Sequence, residues 1–183
     1  MSKHQTDNDP TGFYMKVNLR LSSISGMQDI NILDAFAGKG RVWKEVQKSH
    51  PGKIDVTQID TRIDKEGAYL KGDNSKFISS IDLHQFDLID LDAYGIPFKQ
   101  LELIFKSKFK GIVHCTFIQS GMGMLPKKML EQVGYSKRMV EKIPTLFSKK
   151  GIEILYKYLS INNIERLYLL SLGRKHYLYF KID

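Results

Sequence analysis

The apolar positions of this chain fall into short strand-like runs separated by stripes at helical spacing, and their order predicts an α/β fold. Asn31-Ile32-Leu33-Asp34-Ala35 reads as a buried strand that runs into the turn Gly38-Lys39-Gly40. A helix follows, with Val42, Trp43 and Val46 on one face, until Pro51-Gly52 stops it. Ile54 to Asp60 reads as a strand, Ala68 to Leu70 as a short one and Ser75 to Ile81 as a helix. Phe86 to Asp92 is the next strand, and Pro97 opens a helix with Phe98, Leu101, Ile104 and Phe105 along one side. Gly111 to Ile118, rich in β-branched and aromatic residues, has the composition of a central strand.

Ile152, Leu155, Tyr156 and Leu159 make one more helix face. Ile164 to Leu172 and Lys175 to Ile182 then flank Gly173-Arg174 as an antiparallel hairpin, with Leu178, Phe180 and Ile182 alternating against Tyr177, Tyr179 and Lys181. The expected architecture is a mostly parallel seven-stranded sheet with a C-terminal antiparallel hairpin. Met1 to Thr11 is polar and reads as a loose arm, and Gly12 to Ile30, broken by Ser22, Ser23, Ser25 and Gly26, as a lead-in with little regular structure. Residues 1–30 are thus an arm and lead-in, and 31–183 the folded domain.

Composition narrows the function. The 183 residues are 42% apolar, enough for one substantial core. The 28 basic and 20 acidic residues leave a formal charge of +8, which favours an anionic partner, nucleic acid ahead of membrane. Much of that excess lies in 121–150, where Lys127, Lys128, Lys137, Arg138, Lys142, Lys149 and Lys150 outnumber Glu131 and Glu141. This insert reads as two short amphipathic pieces, Pro126 to Val133 and Lys137 to Ile143, around Gly134-Tyr135; a solvated helical surface packed by Met122, Met124, Met129 and Met139 is the simpler alternative. A single cysteine, Cys115, leaves no intrachain disulfide and no cysteine cluster for a metal, and reads as a buried strand residue. With neither a bilayer-length apolar run nor a signal-peptide core, the expected location is cytoplasmic.

The glycine turn lies where open α/β sheets bind nucleotide-like ligands. A dinucleotide fingerprint needs a third glycine and a phosphate loop needs Gly-Lys-Ser/Thr, and the stretch Asp34-x-Phe36-x-Gly38-x-Gly40 has neither. It resembles instead the D-x-F-x-G-x-G first motif of class I S-adenosylmethionine-dependent methyltransferases, which implies a cationic ligand without phosphate beside Asp34, Phe36, Gly38 and Gly40. The same resemblance assigns Asp60, 20 residues after Gly40, to the ribose hydroxyls, Asp73 to the adenine amino group, and the Asn74 amide to a ring nitrogen. Taken singly, each of these acids reads as a solvated loop residue or a helix cap.

Asp87, Asp90 and Asp92 share one buried strand, which costs too much unless the carboxylates are paired, hydrogen-bonded or at its exposed end. Asp90-Leu91-Asp92-Ala93-Tyr94-Gly95-Ile96-Pro97 resembles the D-x-D-P-(F/Y)-G-(S/T)-P motif of the tRNA guanine N2-dimethyltransferases. The resemblance implies methyl transfer to an exocyclic base nitrogen: Asp92 would hold the amine and take its proton, Tyr94 would stack on the base, and Gly95 would permit the turn. Ala93 stands where that family has proline.

Nothing matches the family's additional C-terminal region, so substrate contacts would fall to the N-terminal segment, to Lys127, Lys128, Lys137 and Arg138, or to a partner protein. Trp43 reads as core, and His114 and His176 as strand residues rather than bases. The leading expectation is a nucleic-acid base N-methyltransferase using S-adenosylmethionine, RNA favoured over DNA. The alternatives are a degenerate cofactor-binding module acting with a partner, and a methyltransferase for protein or small molecules.

Overall fold

The computed structural model of the protein describes residues 10–61, 68–119, 125–142 and 150–183. Its order is α1 (Pro10–Ser23), β1 (Asp29–Asp34), α2 (Arg41–Ser49), β2 (Lys53–Asp60), β3 (Leu70–Lys71), α3 (Asn74–Ser80), β4 (Leu88–Leu91), α4 (Phe98–Lys106), β5 (Gly111–Ile118), α5 (Lys127–Gln132), α6 (Lys137–Lys142), α7 (Gly151–Ile161), β6 (Leu167–Leu172) and β7 (Lys175–Ile182). The described strands form one seven-stranded sheet in the order β3-β2-β1-β4-β5-β7-β6. Pairing is parallel from β3 to β5 and antiparallel from β5 through β7 to β6. This is the expected α/β sheet with its closing hairpin.

The central strands are apolar on both sides because both faces are covered. All four residues of β4 are buried. On one face Leu33, Ile59, Ile89, Val113, Phe117 and Phe180 pack with Leu101 and Ile104 of α4 and with Leu155 and Tyr158 of α7. On the other, Ile30, Ile32 and Leu88 pack with Val17, Ile24, Trp43 and Val46.

That second face corrects the reading of 12–30 as irregular. Phe13, Val17, Leu21 and Ile24 recur at helical spacing and seat α1 on the same cluster as Trp43 of α2. The serines and glycine that read as breakers lie at its end: Ser23 is its last residue, and Gly26, at φ +84°, turns the chain towards β1. α1 also explains why Tyr177 is buried despite alternating with inward-facing Leu178: Lys16 of α1 lies over its ring, 5.3 Å from the centroid.

The remaining differences are small. β4 begins at Leu88 because Phe86 closes a 3-10 turn over Leu83–Gln85, and Asp92 lies just past the strand. The two short helices of the basic insert form as α5 and α6 around Gly134, at φ +96°. Met122, Met124, Ile143 and Lys149 lie outside the described residues. Among those described, no helix is long and apolar enough to cross a membrane.

Candidate active site

β1 and β4 are neighbours, with Asp34 level with Asp90, so the glycine turn and the Asp92 loop emerge side by side. Gly38 (φ +52°) and Gly40 (φ +65°) take the left-handed backbone that the turn requires, closed by a Gly40 N–H bond to the Ala37 carbonyl at 2.6 Å. A cavity of about 630 Å³ opens between the two loops and α1. Asp34, Phe36, Gly38, Gly40, Asp92 and Tyr94 all line it.

The three acids in its wall have different environments. Asp90 is fully paired: Arg20 reaches both of its oxygens at 2.7 Å in a fork, and Trp43 Nε1 donates at 2.7 Å. Trp43 is therefore core, as expected, and also a hydrogen-bond donor to the site. Asp92 accepts from Thr116 Oγ1 at 2.6 Å and forms an ion pair with Lys16 at 2.9 Å. Burial alone would raise the Asp92 pKa, but Lys16 and Arg20, with the two hydrogen bonds, hold it below the usual carboxylate range.

Asp34 is buried, receives one long bond from the Phe36 amide (3.3 Å) and is in no ion pair among the described residues. Burial first, and then the Asp90 charge, push its pKa well above the ordinary value, against a smaller opposing pull from Arg20. The cavity thus has one uncompensated acid, which a cationic ligand group would satisfy.

This has a testable pH signature. The folded protein holds the Asp34 proton to higher pH than the unfolded chain, whose aspartates titrate near ~4. The stability linked to Asp34 is therefore present below pH ~4 and is lost as pH rises through the raised value. Thermal melts of the ligand-free protein should show this slope, and Asp34→Asn should flatten it.

The remaining acids share the sheet edge but not the cavity. Asp60 pairs in register with Lys71, and both lie at their strand ends, so Asp60 and Asp73 follow Asp34 along the C-terminal edge. Asp73 caps α3, accepting from the Lys76 amide at 3.0 Å, and that bond holds its pKa low. Asn74 ties α3 to the tip of β1, donating to the Ala35 carbonyl (3.1 Å) and accepting from Gln100 (2.8 Å).

In the Asp92 loop, Tyr94 is 75% exposed at the cavity mouth. Gly95 takes φ +131°, and its carbonyl accepts from Ile118 N–H of β5 at 2.8 Å. Ala93 N–H donates to the Leu91 carbonyl at 2.8 Å, a three-residue turn centred on Asp92. Proline has no N–H, so where the motif has a ring this loop has a hydrogen bond.

Lys127, Lys128, Lys137 and Arg138 are exposed on α5 and α6, none lines the cavity, and Lys128 is paired with Glu102 of α4. The cations that do line it are Lys16, Lys39, Arg41 and Lys175. His114 is buried, bonds Ser23 Oγ through Nε2 at 2.7 Å and stacks on Tyr179; burial holds it neutral. His176 on β7 meets Ser171, and Cys115 is buried in β5. Sequence reading missed Lys16, Arg20 and Thr116. The first two lie four residues apart on α1, a spacing that puts them on one helix face.

The sheet order, the parallel core and the closing hairpin define the fold of the class I S-adenosylmethionine-dependent methyltransferases. A protein of Listeria monocytogenes assigned to that class is similar at a TM-score of 0.57 with 13% identity, over 94% of this chain and 60% of its own length. An S-adenosylmethionine-dependent methyltransferase from Archaeoglobus fulgidus is similar at 0.55 and 14%, over 92% and 93% of the two chains. The plantazolicin methyltransferase BamL, solved with a triazolic desmethylPZN analog and SAH, is similar at 0.55 and 10%, over 93% and 84%. No protein-family model matches the sequence, and no curated protein does.

Proposed function

We propose that the protein is an S-adenosylmethionine-dependent N-methyltransferase acting on an exocyclic base nitrogen in nucleic acid, RNA favoured over DNA. The observation that carries this reading is the arrangement of Asp92 and Tyr94 on the wall of the same cavity as the glycine turn and Asp34. The residues fit the cofactor: Asp34 is a buried acid in no ion pair among the described residues, beside a turn whose glycines allow close backbone approach. Bound there, S-adenosylmethionine supplies an electrophilic methyl group on a sulfonium.

The chain's own residues account for the rest. An exocyclic amine has its lone pair delocalised into the ring, so an acceptor must hold its N–H to aim the nitrogen. Asp92 stays ionised through neutral pH, because its pKa is held low, and so accepts that N–H throughout the working range. Tyr94 offers an exposed ring for a base taken out of its stack. Asp60, Asp73 and the Asn74 amide, along the same edge, are assigned to the adenosine half of the cofactor. The basic helices α5 and α6 and the cations Lys39, Arg41 and Lys175 supply charge for a phosphate backbone.

Incubation with radiolabelled S-adenosylmethionine and separate pools of tRNA, rRNA and DNA tests the proposal. Label is expected in nucleic acid; label only in protein or small molecules would reject it. Cofactor affinity should also climb with pH through the raised Asp34 pKa, since the cation binds beside the ionised acid, and calorimetry on Asp34→Asn should show the climb gone.

A further inference from the structure

The charges along the cavity wall are ordered by exposure. Of the acids that line it, Asp34 and Asp90 are buried, and Asp92 is half-buried and paired with Lys16. The other cations stand further out: Lys39 and Arg41 are exposed and Lys175 is half-buried. Neither Lys39 nor Arg41 is in an ion pair among the described residues. A ligand arriving from solvent therefore meets positive charge first, and only the part it inserts meets the acids.

Exposed rings flank the same mouth. Phe13 of α1 lines the cavity, Arg41 lies over its ring 5.5 Å from the centroid, and the neighbouring Tyr14 ring meets it edge-on at 5.6 Å. Tyr14 is 59% exposed, and Tyr94, on the Asp92 loop, is 75% exposed. The opening thus has a ring and a guanidinium on its α1 side and a second ring on the other.

Resting on the nucleic-acid reading above, we propose that the α1 side of the mouth is a platform for unpaired nucleotides, so that the substrate is a single strand or a loop and not a duplex. The target base enters beside Tyr94, a neighbouring base of the same strand stacks on Tyr14, and the phosphates pass Lys39, Arg41 and Lys175. Bases within a duplex cover one another's faces, so a duplex offers such a mouth its phosphates but no ring face. An exposed ring among cations is used fully only by bases that have left their stack, and any base can use it, because every base has a π-face. The basic helices α5 and α6 do not line the cavity, and their charge serves single and double strands alike.

Fluorescence anisotropy of the full chain tests this with a labelled, unstructured strand of about 12 nucleotides, as RNA and as DNA, and with the same strand annealed to its complement. The single strand is expected to bind about tenfold more tightly than the duplex. Tyr14→Ala should weaken the single strand by about fivefold or more and leave the duplex unchanged, while Tyr14→Phe, which keeps the ring, should bind as the wild type does. Lys39→Gln gives a second reading that does not depend on Tyr14: the slope of log affinity against log salt for the single strand should become shallower by about 0.7.

A duplex bound as tightly as the single strand, or a Tyr14→Ala loss equal on both, would overturn the inference and leave the nucleic-acid reading standing. An unchanged salt slope in Lys39→Gln would overturn the phosphate path. Binding of neither form, as RNA or as DNA, would remove the nucleic-acid reading and the inference with it.

Discussion

Asp92→Asn is expected to bind cofactor within about twofold of the wild type and to lose methyl transfer by 10²-fold or more. The substitution is nearly isosteric: Thr116 keeps its acceptor at Oδ1, while an amide nitrogen takes the place of Oδ2 and the Lys16 hydrogen bond made there is lost. That position then presents two donors where the amine needs an acceptor, and the nitrogen loses the contact that aims it. Cofactor recognition is assigned to Asp34 and the glycine turn, which the change does not touch. Calorimetric titration with S-adenosylmethionine and a single-turnover transfer rate separate the two effects. Full transfer by the variant would remove Asp92 from its role.

The largest expected effect on stability is that of Arg20→Met. Arg20 and Asp90 have side chains only 2% exposed, and the forked pair joins α1 to β4 beneath the cavity. Removing the cation leaves the Asp90 carboxylate buried with Trp43 Nε1 as its remaining side-chain donor among the described residues. Breaking a buried pair on one side costs about 3–5 kcal/mol. For a chain of this size each kcal/mol lowers the melting temperature by about 2–4 °C, so a fall of roughly 6–20 °C is expected. The double variant Arg20→Met/Asp90→Leu should recover most of it, because an apolar pair of similar volume leaves no charge unpaired. A single variant melting within a degree of wild type would show that the ion pair does not hold the sheet to α1.

The parts of the site legible in the sequence are those set by local chemistry. Gly38 and Gly40 adopt the positive φ that makes such a turn possible, and β5 has the bounds its composition implies. The three carboxylates expected on one buried strand, of which only Asp90 lies within β4, demanded partners, and each is partnered: Asp87 accepts from the Asn31 amide, Asp90 from Arg20 and Trp43, and Asp92 from Lys16 and Thr116.

The identity of those partners was not legible, because Lys16 and Arg20 lie 76 and 70 positions from the acids they meet. Missing α1 compounded this. Ser22, Ser23 and Gly26 weigh against a helix by propensity, but they fall at its end, and the tertiary burial of Val17 and Ile24 holds it in place. The basic insert was legible as charge and as two helices, while of the cations that line the cavity Lys39 and Arg41 sit in the glycine turn itself and Lys16 and Lys175 are brought to it only by the fold.

The central claim is that one cavity holds both the cofactor and the base nitrogen, and a crystal structure with S-adenosylhomocysteine bound tests it most directly. The predicted result has the sulfur between the Gly38–Gly40 turn and Asp92, the amino group beside Asp34, and an open slot the thickness of a planar base between the sulfur and Tyr94. Cofactor bound away from Asp34, or a sulfur walled off from Asp92 and Tyr94, would contradict it.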